Sequence, residues 1–138
     1  MKIMIHAIAG LVLAFPLAAS AQDVSIGERE YMSSCAQCHG ADGGGDGVMA
    51  GFLTATVPDL NQLQAANDGV FPVSAVYAII DGSATSGVHG TSEMPAWGDR
   101  YMAQSPRMLG EYYGPEDQAA FVRGRILALI EYISTLQE

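Results

Sequence analysis

Cys35-Ala36-Gln37-Cys38-His39 sets the only two cysteines of the chain three positions apart and follows them at once with a histidine. No other feature restricts the fold so strongly. On one helical turn, two thiols at this spacing can each add across one of the two vinyl groups on the same haem edge. The histidine that follows then lies beneath the iron as its proximal ligand. A neutral imidazole gives Nε2 to the metal, and its Nδ1–H then needs an acceptor that fixes the ring. A thioredoxin-like C-x-x-C would sit in strand-helix alternation, and none surrounds it. A structural zinc site needs four ligands, and outside this cluster and the N-terminal segment only His89 remains. A Cys35–Cys38 disulfide would close a very small, strained loop. Two cysteines also cannot make a disulfide-dense scaffold.

The first 21 residues, MKIMIHAIAGLVLAFPLAASA, read as a cleavable export signal. Lys2 forms a short positive start, Ile3 to Leu17 is mostly apolar, and Ala19-Ser20-Ala21 offers a small-x-small cleavage site. His6, Gly10 and Pro16 interrupt the run, which speaks against a retained membrane anchor. The expected organisation is a signal peptide over 1–21 and one domain over 22–138, exported to the periplasm, with no permanent membrane span after cleavage. The whole chain carries a formal charge of −9, and loss of Lys2 leaves 15 acids against five arginines, a net of −10. Such a surface excludes nucleic acid as a partner.

Five methionines follow the signal: Met32, Met49, Met94, Met102 and Met108. Met94 lies in Glu93-Met94-Pro95-Ala96-Trp97-Gly98, where proline and glycine bracket a short loop able to hold a thioether in place. It is the expected sixth ligand, and soft methionine opposite histidine raises the reduction potential. Met32 is expected to pack in the core, and the other three to pack or to face solvent.

With C-A-Q-C-H-G near its start and M-P far downstream, the chain resembles a class I (His/Met) monohaem c-type cytochrome over residues 25 to 136. The resemblance implies a small all-α cytochrome c fold, three to five helices around one haem c held covalently by Cys35 and Cys38. It implies that Gly27 and Tyr31 on the first helix cross Leu129 and Tyr132 on the last. Pro58-Asp59-Leu60 matches the family's Pro-x-Leu, so the Pro58 carbonyl would accept the His39 Nδ1–H and Leu60 would pack on the haem. Two stretches depart from the short members: the glycine-rich loop from Ala41 to Pro58, and Asp99 to Gly114. The docking ring of lysines common in the family has no counterpart, because Lys2 is the chain's one lysine.

Residue pattern leads independently to helices. Ser25-Ile26-Gly27-Glu28 is a capping box opening a helix to about Ala36. Asp59 to Asn67 suits a short helix, and Ser74 caps another from about Ala75 to Ile80. Ser83 to Glu93 lacks periodicity and reads as loop. Pro115 with Glu116 and Asp117 starts the last helix, whose stripe of Val122, Ile126, Leu129, Ile130, Ile133 and Leu136 runs to the end. Arg123 and Arg125 are expected on its solvated face. Trp97 is expected to pack at the haem edge, and His89 to be a solvated loop residue. The carboxylates of Asp42 to Gly47 lack the spacing of a calcium loop.

Together these features point to a non-enzymatic electron carrier, relaying single electrons between a redox donor and an acceptor that present basic docking surfaces. Two alternatives stay open: a five-coordinate haem protein acting on peroxide or a gas, and a cytochrome subunit of a respiratory dehydrogenase or oxidase complex.

Overall fold

A computed structural model describes residues 25–84 and 97–138. The signal segment, Met94 and His89 lie outside the described residues. The fold is all-α, and no strand occurs among the described residues. Among the described residues five helices follow in order: α1 (Ile26–Ser34), α2 (Ala36–His39), α3 (Val73–Asp81), α4 (Trp97–Leu109) and α5 (Pro115–Thr135). Short 3-10 turns at Ala50–Phe52, Leu60–Gln62 and Ala65–Asn67 fill the long connection between α2 and α3. No described helix is long and apolar enough to cross a membrane.

The frame is the crossing of α1 and α5. Ser25 caps α1, its hydroxyl accepting from the Glu28 amide at 3.0 Å. At the start of α5, the Asp117 carboxylate accepts from the Gly114 amide at 2.9 Å, and Pro115 occupies the first turn. A side chain on Gly27 would meet the Ala128 carbonyl and, at 3.0 Å, the Tyr132 Cβ. Glycine is thus required by the closeness of the two backbones. One turn later the Tyr31 and Tyr132 rings lie 5.2 Å apart, tilted by 49°. The partners expected at the crossing were Leu129 and Tyr132. Tyr132 is there beside the Ala128 backbone, and Leu129 is buried in the core.

Other expectations shift. The third helix begins at Val73 behind Pro72, not after a Ser74 cap, because Pro72 fixes the backbone just ahead of it and Ser74 lies inside the first turn. The segment 59–67 forms two 3-10 turns rather than one helix. Met32 is 47 % exposed, not core. On α1 the buried positions are Gly27 and Tyr31, one helical turn apart, and Met32 lies off that line.

Helix α4 covers most of the departing stretch Asp99 to Gly114, where the sequence reading places no helix. It packs on α5 and buries Trp97, Tyr101 and Ser105, a stripe of every fourth residue. Arg125, expected in solvent, instead pairs with Glu30 of α1, and the Tyr101 hydroxyl donates to the same carboxylate at 3.2 Å. One carboxylate therefore joins α1, α4 and α5.

Candidate functional site

The two cysteines and the histidine sit where α1 breaks into α2. Cys35 caps the break, donating its amide to the Tyr31 carbonyl at 2.8 Å, and the single turn Ala36–His39 carries Cys38 and His39. Below this turn Tyr31 is fully buried, and its hydroxyl donates to the Gly40 carbonyl at 2.8 Å. The α1–α5 crossing thus sets the position of the residue after His39.

His39 is buried, and its Nδ1 lies 3.2 Å from the Pro58 carbonyl. This is the contact implied by the family resemblance. With Nδ1–H donating there, the ring takes the tautomer that keeps the Nε2 lone pair for a metal. Pro58 is itself located by its neighbours. The Leu60 amide donates to the Gly43 carbonyl at 2.7 Å, and Asp59 accepts from the Asn61 amide at 2.8 Å. From the far end of the chain, the Gln137 side chain donates to the Leu60 carbonyl and accepts from the Gln64 amide, both at 2.8 Å. Gln137 carried no motif that could have identified it.

Cys35, His39 and Pro58 form one wall of an open cleft with a cavity volume of about 100 Å³. Leu60, Leu63, Val76, Ile79 and Ile80 line another part, and Leu129, Ile133 and Trp97 complete it. Apart from the attachment turn and the indole nitrogen, the lining side chains are hydrocarbon. An apolar hollow cut into a small core forfeits packing along its walls unless an apolar group fills it. A flat macrocycle with apolar faces meets that need, and the thiol and imidazole on one wall supply its attachment points. The residues present therefore fit a haem.

Burial pushes the Cys35 thiol up to about 12, with the neighbouring Cys38 adding to the effect. A thiol so strongly held as the neutral acid lacks the depressed pKa of a dithiol redox centre. It suits a sulfur that ends as an uncharged thioether.

Leu60, expected against the cofactor, lines the cleft, as does Trp97, whose ring stacks beneath the Arg100 guanidinium at 4.5 Å. The cleft also uses Leu63, Val76 and Ile80, which sequence reasoning did not single out as site residues. Val76 and Ile80 are one helical turn apart on α3 and could have been found from that spacing. Met94, the expected ligand, and His89 lie outside the described residues. Among the described residues, no group of three or more histidine, cysteine or carboxylate side chains gathers as a metal-ion site.

A family model described as cytochrome c oxidase, cbb3-type, subunit III matches residues 22–112. No curated protein and no solved structure matches the chain. The match stops short of α5, yet α5 supplies Leu129 and Ile133 to the cleft, so the structural unit reaches the last helix.

Proposed function

We propose a function that starts from one premise: the chain belongs to the cytochrome c oxidase, cbb3-type, subunit III family, whose members are c-type cytochrome domains. Membership implies haem c and haem-based electron transfer. The chain is a periplasmic electron carrier: Cys35 and Cys38 would hold one haem c through thioethers, and His39 and Met94 would ligate its iron.

One observation carries this reading. The attachment turn, the buried imidazole and the Pro58 carbonyl share a wall of an otherwise hydrocarbon cleft. When bound, the haem supplies one-electron ferric/ferrous chemistry. The residues of the chain do the rest. Pro58 holds the imidazole by its Nδ1–H and so sets the ligand's orientation and basicity. Leu60, Leu63, Ile79 and Ile80 exclude water, which disfavours the extra charge of the oxidised centre. Met94 contributes a soft thioether that favours the reduced metal. With His39 and Met94 both given to the iron, no position would be left for a substrate, and the protein would act as a carrier rather than an enzyme.

Residues 1–21 support export, and the family match begins at residue 22, directly after the Ala19-Ser20-Ala21 cleavage pattern. The net charge of −10 after cleavage supports redox partners with basic docking surfaces.

The family description favours a second reading, in which the chain is a cytochrome subunit relaying electrons inside an oxidase complex. Purification from membranes and periplasm at physiological salt separates the two. A carrier is recovered alone from the soluble fraction, and a subunit is recovered with its oxidase. Covalent attachment has its own test. The purified chain should exceed its polypeptide mass by one haem and keep it through acid-acetone extraction. The Cys35→Ala/Cys38→Ala variant should keep none, and haem retained by that variant would refute the attachment.

A further inference from the structure

Residues 45–52 form a strap bonded to the attachment turn. The Gly45, Gly47 and Met49 amides donate to the His39, Cys38 and Gln37 carbonyls at 2.8, 3.0 and 2.8 Å. Gly47 lies so close to this turn that a side chain there would strike the backbone of Ala36, Gln37 and Cys38. A 3-10 turn at Ala50–Phe52 then closes the strap. Held this firmly, the strap nevertheless turns its apolar side chains outward: Val48 and Phe52 are each 80 % exposed and Met49 42 %.

The sequence on either side of the strap carries charge of one sign. Between Arg29 and Arg100 the sequence contains no lysine or arginine, while Asp42, Asp46, Asp59, Asp68 and Asp81 all fall there. Every arginine belongs to α1, α4 or α5. Asp42 and Asp46 are exposed, and their carboxylates gather over Gly40 at the base of the strap.

Single exposed apolar residues are ordinary. Three within five residues, fixed to the cofactor-bearing turn and set among carboxylates, have the make-up of an interface: an apolar centre with a charged rim. We infer that Val48, Met49 and Phe52 form the docking surface for a redox protein whose contact face is apolar and ringed by lysine or arginine. This inference rests on the electron-transfer function proposed above. A partner seated there lies over Cys38, one of the two points where the chain would join the cofactor. The carboxylates decide among occupants. A second copy would bring Asp42 and Asp46 against their own equivalents, and an anionic membrane would repel them, whereas a basic rim neutralises them.

Stopped-flow transfer of one electron from the reduced holoprotein to a ferric, lysine-rich class I cytochrome c tests the inference, that cytochrome serving as the probe. At low ionic strength, Val48→Ser/Phe52→Ser should lower the second-order rate constant about tenfold, and Asp42→Asn/Asp46→Asn several-fold with a shallower salt dependence. Tyr112→Ser, which removes an aromatic side chain 97 % exposed and outside the strap, should leave the rate unchanged. If the strap variants match the wild type, or Tyr112→Ser slows transfer as much, the docking assignment is overturned. Strap-dependent dimerisation in sedimentation, or strap-dependent binding to phosphatidylcholine vesicles, overturns it too. Tris(1,10-phenanthroline)cobalt(III) serves as a second, small oxidant. Transfer to both oxidants with unaffected strap variants refutes the docking surface alone. Transfer to neither by the wild type refutes the electron-transfer function itself.

Discussion

Replacing Gly27 by alanine puts one carbon where the Ala128 carbonyl already stands. Two effects oppose each other. Alanine is favoured over glycine within a helix by up to about 1 kcal/mol. Forcing a methyl into a filled contact costs about 1–3 kcal/mol, and more where nothing can move aside. Here the obstacle is the backbone of α5 rather than a flexible side chain, so the upper part of that range applies. The net expectation is a loss of about 1–2 kcal/mol. Gly124 gives the matched control. It lies inside the same long helix, is exposed, and a methyl there meets nothing within 4 Å. Gly124→Ala should therefore stabilise by about 0.5–1 kcal/mol. Urea unfolding of the two holoprotein variants, followed by circular dichroism, should move their midpoints in opposite directions from the wild type, ~1 M apart for a slope of about 1–3 kcal/mol/M. A Gly27→Ala midpoint equal to or above that of the wild type would refute the close crossing on which the site is built.

Two further outcomes follow from the network around α4. Removing the Glu30 carboxylate strands Arg125 and the Tyr101 hydroxyl in a partly buried setting. Glu30→Gln should thus cost about 1–3 kcal/mol, and a double-mutant cycle with Arg125→Met should show coupling of about 1 kcal/mol; additivity would contradict it. Burial pushes the Tyr101 phenol up from its ordinary value near 10 to about 12. The unfolded chain then ionises first, so this contribution is intact below pH 10 and is lost as pH climbs towards 12. Tyr101→Phe should flatten that part of the alkaline stability profile, and an unchanged profile would contradict the buried phenol.

What the sequence made legible was local in character. The C-x-x-C-H turn, the cap at Ser25, the Pro115 start and the apolar stripe of α5 each declare themselves within a few residues. Gly27, Tyr31, Tyr132, Pro58 and Leu60 were reachable because the resemblance supplied the long-range pairing that spacing alone does not. The rest was hidden for identifiable reasons. The buried stripe of α4, Trp97, Tyr101 and Ser105, keeps a helical spacing, but Gly98 and Pro106 inside the helix lower its propensity and mask the pattern. Arg125 looked like a solvated cation because its partner Glu30 is remote in sequence. Met32 looked like core because methionine is usually apolar filling, yet the packed line of α1 is one residue wide and passes beside it. Gln137 clamps the turns beneath Pro58 from the C-terminus, with no local signal of its own.

Whether the chain is a carrier turns on the sixth ligand. The most direct measurement is the far-red charge-transfer band of methionine-ligated iron in the ferric holoprotein, taken together with carbon monoxide binding to the ferrous form. The expected result is a band in the wild type, little carbon monoxide uptake, and loss of the band with ready uptake in Met94→Ala. A wild type that lacks the band and takes up carbon monoxide readily would contradict the carrier function and point to a protein with an open haem site.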